Sequence, residues 1–184
     1  MRKMFIRLVA AGLVGSGLLC AGCETAPKTA GEKATLSSEA DAALAAFKNA
    51  DSSLDPLLAK SSGYAVFPDV GKAGFIAGGA YGRGVVFEGG KKIGYADVSK
   101  GSLGLQIGAQ TFSQLIVFMR PEQLKTFKDN AFEFAADASA VAIKAGAGAA
   151  ADYSKGVVVF TQVKGGLMAE ASIGGQKFTF VSNP

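Results

Sequence analysis

From Gly63 to the C-terminus, glycine recurs at short intervals between brief apolar runs, and this spacing restricts the chain to strands joined by tight turns. Leu103, Leu105, Ile107 and Ala109 alternate with Gly104, Gln106, Gly108 and Gln110, a period of two that gives one apolar face. Glu88-Gly89-Gly90-Lys91 separates a strand candidate at 75–87 from another at 92–98. Lys164-Gly165-Gly166 lies between 157–163 and 167–173, and Gly174-Gly175 turns the chain into 177–181. Paired glycines suit two-residue hairpin loops because both central positions need positive φ. Tyr64-Ala65-Val66-Phe67 reads as a strand that stops at Pro68, since proline cannot donate to a central ladder. Leu115–Met119 is a further strand, and residues 132–142 are assigned to a strand followed by a loop or short helix.

Ahead of this region the period changes to that of a helix. Ala40, Ala43, Leu44 and Phe47 recur at helical spacing, and Ser38 with Asp41 forms a capping pattern, so a helix is expected from about 38 to 50. Asp55-Pro56 restarts the chain into a second short helix ending near Lys60, and Pro121 opens another. Hydrophobic types make up 49% of the 184 residues and charged types 18%, enough for one sizeable core. The expected fold class is α+β: a Gly-rich antiparallel sheet, or partly closed barrel, built of hairpins with the N-terminal helices packed on it.

The N-terminus reads as an address. Arg2, Lys3 and Arg7 precede an uncharged, mostly apolar stretch from Leu8 to Gly22, the layout of a secretory signal and shorter than a membrane span requires. Its end, Leu18-Leu19-Cys20-Ala21-Gly22-Cys23, resembles the lipobox of bacterial lipoproteins and marks Cys23 for acylation. Cys20 occupies the place usually held by Leu, Val or Ile and would leave with the signal, so no disulfide is expected. Glu24 follows Cys23, where some bacteria use Asp for inner-membrane retention, so the resemblance implies the outer membrane. The organisation expected is a signal at 1–22, a flexible tether at 23–36 and one domain at 37–184.

The composition removes most chemistry. With no histidine, neither a histidine base nor a histidine metal ligand is available. Gly78-Gly79-Ala80-Tyr81-Gly82-Arg83-Gly84 has the glycine density of a phosphate loop, but strand residues rather than a helix follow it. Ser99-Lys100 and Ser154-Lys155 are adjacent pairs that point to opposite faces of an extended chain. The acids show no calcium-loop spacing. The reading is a non-enzymatic domain without cofactor or metal.

The formal charge of +4 largely disappears on processing, because the signal carries three of those charges. Residues 23–60 are net −2 and residues 61–184 net +3. Lys72, Arg83, Lys91, Lys92, Lys100, Lys155 and Lys164 fall in or beside turns and Gly-rich strands, and they are the candidate contacts to lipid phosphates. Export, and the lack of a basic stripe with stacking aromatics, argue against nucleic acid.

Four spaced blocks, YAVFPDVGKAGFIAGGAYGRGVV, GSLGLQIGAQ, DYSKGVVVF and GGLMAEASIGGQKF, together resemble the SYLF domain family from about residue 37 to the end. The resemblance is carried by Pro68 and the Gly71–Gly84 segment, by Gly104, Gln106 and Gly108, and by Tyr153, Ser154, Lys155 and Gly156. It implies a lipid-binding module; eukaryotic members recognise phosphoinositides and some fungal members bundle actin. A basic N-terminal helix goes with lipid binding in eukaryotic members, whereas the stretch here is net acidic. An exported bacterial protein meets no actin and little phosphoinositide, so anionic phospholipid at the membrane surface is the expected partner. The alternative is a structural or scaffolding envelope lipoprotein that binds another envelope protein.

Overall fold

The computed structural model describes residues 27–72, 80–100, 111–130, 139–164 and 176–183. The signal-like segment with Cys23, the alternating run at 103–110 and the Gly174-Gly175 turn lie outside the described residues. The elements in chain order are α1 (Ala30–Ala50), α2 (Leu54–Lys60), β1 (Gly63–Lys72), β2 (Ala80–Glu88), β3 (Lys91–Lys100), β4 (Phe112–Phe118), α3 (Pro121–Lys128), β5 (Ser139–Ala142), α4 (Ala147–Ala150), β6 (Val157–Val163) and β7 (Gln176–Ser182).

Helix α1 begins well before Ser38. The Thr29 hydroxyl accepts from the Glu32 N–H at 3.1 Å while the Glu32 carboxylate accepts from the Thr29 N–H at 3.1 Å, a reciprocal capping box. The Thr29 N–H, followed by the Lys28 N–H at 2.9 Å, holds the Glu32 carboxyl below its usual range. The expected boundary at residue 36 is therefore corrected: the helix takes up residues 30–36 of the segment assigned to the tether. Leu36, Ala40, Ala43 and Phe47 form the buried stripe of α1. That stripe packs on the protein's own sheet, and two of its four members are alanines that let the helix approach closely.

The strands form one sheet in the order β5-β6-β4-β1-β2-β3-β7. Six strands are antiparallel to their neighbours, and β5 lies parallel to β6 at one edge. Strand β1 does not stop at Pro68 as expected; it is a central strand running through it. Its register slips between Val66 and Asp69 against β2 and between Phe67 and Val70 against β4. Pro68 thus sits in a bulge, where the ladder does not demand the N–H that proline lacks. Its carbonyl accepts from the Ser113 hydroxyl at 2.7 Å. At the β2–β3 hairpin, Gly89 and Gly90 have φ of 56° and 75°, so both central residues take the positive φ that a two-residue turn requires.

The sheet curls strongly. In a flat sheet β4 and β7 would lie about 19 Å apart across four strand spacings, yet the buried amides of Gln114 on β4 and Gln176 on β7 meet at 2.9 and 3.3 Å, each donating to the other. Phe67 of β1 and Phe178 of β7 approach to 5.8 Å between ring centroids across the two strands that separate them. Glycine on β2 makes this possible. A Cβ on Gly84 would lie 2.6 Å from Cδ1 of Phe67 and 2.7 Å from the Val66 carbonyl. The missing side chain at Gly84 is what admits the Phe67 ring and the β1 backbone.

Alternation along the strands builds two cores. Ala65, Phe67, Val86, Val98, Ile116 and Phe178 line the concave face, where α3 inserts Leu124 and Phe127. Phe127 lies 5.0 Å from Phe118 and 5.4 Å from Phe178. On the convex face Val66, Val85, Leu115, Val117, Val158 and Phe160 receive α1, α2 and Ala147 of α4.

One buried carboxylate ties the convex layer together. Asp51, at the C-terminal end of α1, accepts from the Gly148 N–H at 2.6 Å, the Ser53 hydroxyl at 2.7 Å and the Ser53 N–H at 3.0 Å. Burial pushes its pKa up, but these bonds, led by that of Gly148, more than offset it and hold the carboxyl below its usual range.

Candidate functional site

Strand register sorts the seven candidate cations into two groups at opposite ends of the sheet. Val157, Phe118, Gly63, Glu88 and Lys91 lie level with one another across β6, β4, β1, β2 and β3. Lys91, Lys92 and Lys155 belong to this end. At the other end, Lys72 and Lys100 stand in register with Ala80 on either side of β2, and the Lys164 N–H donates to the Thr111 carbonyl at 3.0 Å. Arg83 is three residues in from that end. With strands rising about 3.3 Å per residue, the nine-residue β2 separates the groups by roughly 26 Å. The cations do not share one patch.

Two of the far-end cations face acids. Arg83 sits in register with Asp69 on β1 and Asp97 on β3, so carboxylates flank it on both neighbouring strands. The Tyr81 hydroxyl donates to Asp97 at 2.9 Å. Lys164 forms an ion pair with Asp69 at 2.9 Å. The backbones of Lys72 and Lys100 are placed by β1 and β3.

At the near end the cations differ in what they touch. Lys92 turns back onto the domain: its ammonium donates to the Ser37 hydroxyl at 2.7 Å and the Tyr95 hydroxyl at 3.3 Å, and lies 5.3 Å from the centroid of the Tyr95 ring. Lys33 of α1 is 5.7 Å from the same ring, so two cations clamp α1 to β3 through one aromatic. Lys91 and Lys155 are exposed and have no ion-pair partner among the described residues.

The segment around Lys155 is a built turn. The Ser154 N–H donates to the Asp152 carboxylate at 2.9 Å, which holds that carboxyl below its usual range. The Tyr153 hydroxyl donates to the Gly148 carbonyl, and burial, followed by the nearby Asp51 charge, raises the tyrosine pKa. Gly156 takes φ 77° beneath the Gln123 amide, where a Cβ would meet Nε2 at 2.4 Å. Tyr153 and Gly156 are therefore framework, and Ser154 and Lys155 are the exposed members of the motif, Lys155 the charged one.

Two exposed cations at this end were not among the candidates. Lys60 ends α2 three residues before Gly63, and Arg120 precedes α3, its guanidinium donating to the Ser154 carbonyl at 3.2 Å. Arg120 directly precedes the Pro121 helix start and Lys60 stands at the expected end of the second short helix, so their place at element ends was readable, but the Arg120–Ser154 contact was not. Among the described residues no cluster of acids or cysteines could hold a metal ion, and no helix is long and apolar enough to cross a membrane.

Comparison with known proteins agrees with the resemblance drawn from the four blocks. Residues 99–183 match the family model Ysc84, described as a Las17-binding protein actin regulator. The chain is also 30% identical over 156 residues, 83% of its length, to Beta cell expansion factor A of Aeromonas veronii, and spans 59% of that protein. The matched region holds β4, α3, β5, α4, β6 and β7, which includes the Lys155 turn and the Gln114–Gln176 amide pair. Over residues 99–183 the chain is similar to the Ysc84, or SYLF, family of domains.

Proposed function

We propose that this protein is an exported envelope lipoprotein, anchored through acylated Cys23 to the outer membrane, whose SYLF-like domain binds anionic phospholipid and catalyses no reaction. The observation that carries the reading is the pairing of a SYLF-like domain with exposed cations, Lys91 and Lys155, that lack carboxylate partners among the described residues. A near-surface lysine or arginine contributes about 1 kcal/mol against an anionic leaflet. The lipobox-like end of the signal supports the anchor, since stable attachment takes more than one acyl chain or a chain with a basic patch.

The test is flotation of the chain from Glu24 to Pro184, which retains every described element, with vesicles of phosphatidylcholine alone or with cardiolipin. Binding to the cardiolipin vesicles at low ionic strength, weakened by added salt, is expected. No binding at low salt removes the lipid claim. For the anchor, Cys23→Ala is expected to abolish processing and the gain of mass from acylation; an unchanged mass and unchanged membrane association refute it.

A protein partner is the second reading, favoured by the family's description as Las17-binding. It predicts recovery of one envelope protein by crosslinking, retained when Lys91 and Lys92 are neutralised.

A further inference from the structure

Resting on the lipid-binding reading, we infer that the domain meets the anionic membrane surface end-on, through a rim formed by Lys60, Lys91, Arg120 and Lys155, and not through the Gly-rich end of the sheet. Lys91 ends the level row that starts at Val157, and the other three lie just beyond that row. Lys60 is three residues before Gly63, Arg120 two after Phe118 and Lys155 two before Val157. Five strands at about 4.8 Å spacing make this row roughly 19 Å wide, so the four charges reach several headgroups at once.

Backbone connections join the part of the rim that carries Lys60, Arg120 and Lys155. The Ser62 N–H donates to the Phe118 carbonyl at 2.9 Å and the Met119 N–H to the Gly156 carbonyl at 2.8 Å, which brings the end of α2, the start of α3 and the Lys155 turn together. The Arg120–Ser154 bond closes the same junction.

Charge separates the two ends. At the rim, Glu88 is taken by Lys128 at 3.0 Å, Asp129 is taken by Lys125 and Asp152 is held in its own turn, leaving Glu122 as the acid beside Arg120 with no ion pair among the described residues. All four rim cations are exposed and without an ion-pair partner among the described residues. At the other end Arg83 and Lys164 face Asp69 and Asp97. A phosphate approaching Arg83 or Lys164 competes with carboxylates already in place, whereas Lys60, Lys91 and Lys155 at the rim form no ion pair among the described residues.

The experiment compares charge-matched double variants of the 24–184 chain on cardiolipin-containing vesicles. Lys91→Gln with Lys155→Gln, and Lys60→Gln with Arg120→Gln, each remove two charges at the rim; Lys164→Gln with Lys177→Gln, the latter exposed on β7 in register with Ser99 of β3, removes two at the far end. About fivefold per cation corresponds to 1 kcal/mol, so each rim pair is expected to lose roughly twenty-five-fold in partitioning and the far-end pair less than about threefold. Near-UV circular dichroism verifies that each variant is folded, which the exposure of all six side chains favours. Equal losses from all three pairs indicate attraction by net charge and overturn the rim, as does a larger loss from the far-end pair. An intact chain that binds no vesicle fails at the earlier step and refutes lipid binding itself.

Discussion

Asp51 shows how much one residue can carry. It ends α1, bonds the first residues of α2's entry and receives the Gly148 N–H of α4, so one carboxylate joins three helices on the convex face. Hydrogen bonds to a charged group are worth about 1.5–3 kcal/mol, and Asp51→Asn is expected to lower unfolding stability at neutral pH by that amount, read from urea denaturation. The sign of the pH dependence follows from the lowered pKa. The contribution is present above the unfolded carboxyl's pKa and is lost as pH falls through the lower folded value, so wild type and variant converge in acid. A stability gap that stays constant down to strongly acidic pH contradicts the charged-hub role. Nothing in the sequence singles out Asp51 among 15 acids, because its partners at Gly148 lie 97 positions away.

Among the elements, α1 is where local signals competed. The cap expected at Ser38-x-x-Asp41 forms instead at Thr29-x-x-Glu32, and the burial of Leu36 makes the earlier turns of the helix worth forming. Thr29→Ala is expected to cost about 1 kcal/mol and to raise amide hydrogen exchange in residues 30–33 while leaving 40–47 protected. Uniform loss of protection along α1 tells against a purely local cap. Strand β1 shows the opposite error: Pro68 was read as a stop because proline is excluded from regular ladders, and a bulge removed the objection. By contrast, the Gly89-Gly90 turn and the Pro121 helix start came through intact, since both depend only on backbone angles within a few residues.

In the whole molecule the two cores share strands. Val66 faces the convex layer and Phe67 the concave one, and the same alternation places Val85 and Val86, and Leu115 and Ile116, on opposite faces. Neither core can open without breaking strands that the other needs. Thermal unfolding of the 24–184 chain is therefore expected to be a single transition, coincident by far-UV and near-UV circular dichroism. Two separated transitions would show that the helical layer melts independently of the sheet.

The candidate site was legible by residue type and illegible by place. Lysines beside Gly-rich turns mark element ends, which the sequence displays, but which end each one occupies depends on how many strands lie between them and in what order. That is why Lys91 and Lys155 belong with Lys60 and Arg120, while Lys164 and Arg83 are matched with Asp69 and Asp97 at the opposite end. Local backbone chemistry and apolar periodicity, acting over a few residues, determined the class of fold, the β2–β3 hairpin and the existence of helices before the sheet, and composition excluded histidine-based chemistry. The curl that joins Gln114 to Gln176, the bulge that admits Pro68, the burial of Asp51 and the division of the cations required the tertiary structure. Each is a contact between residues distant along the chain, and short-range patterns in the sequence do not reach that far.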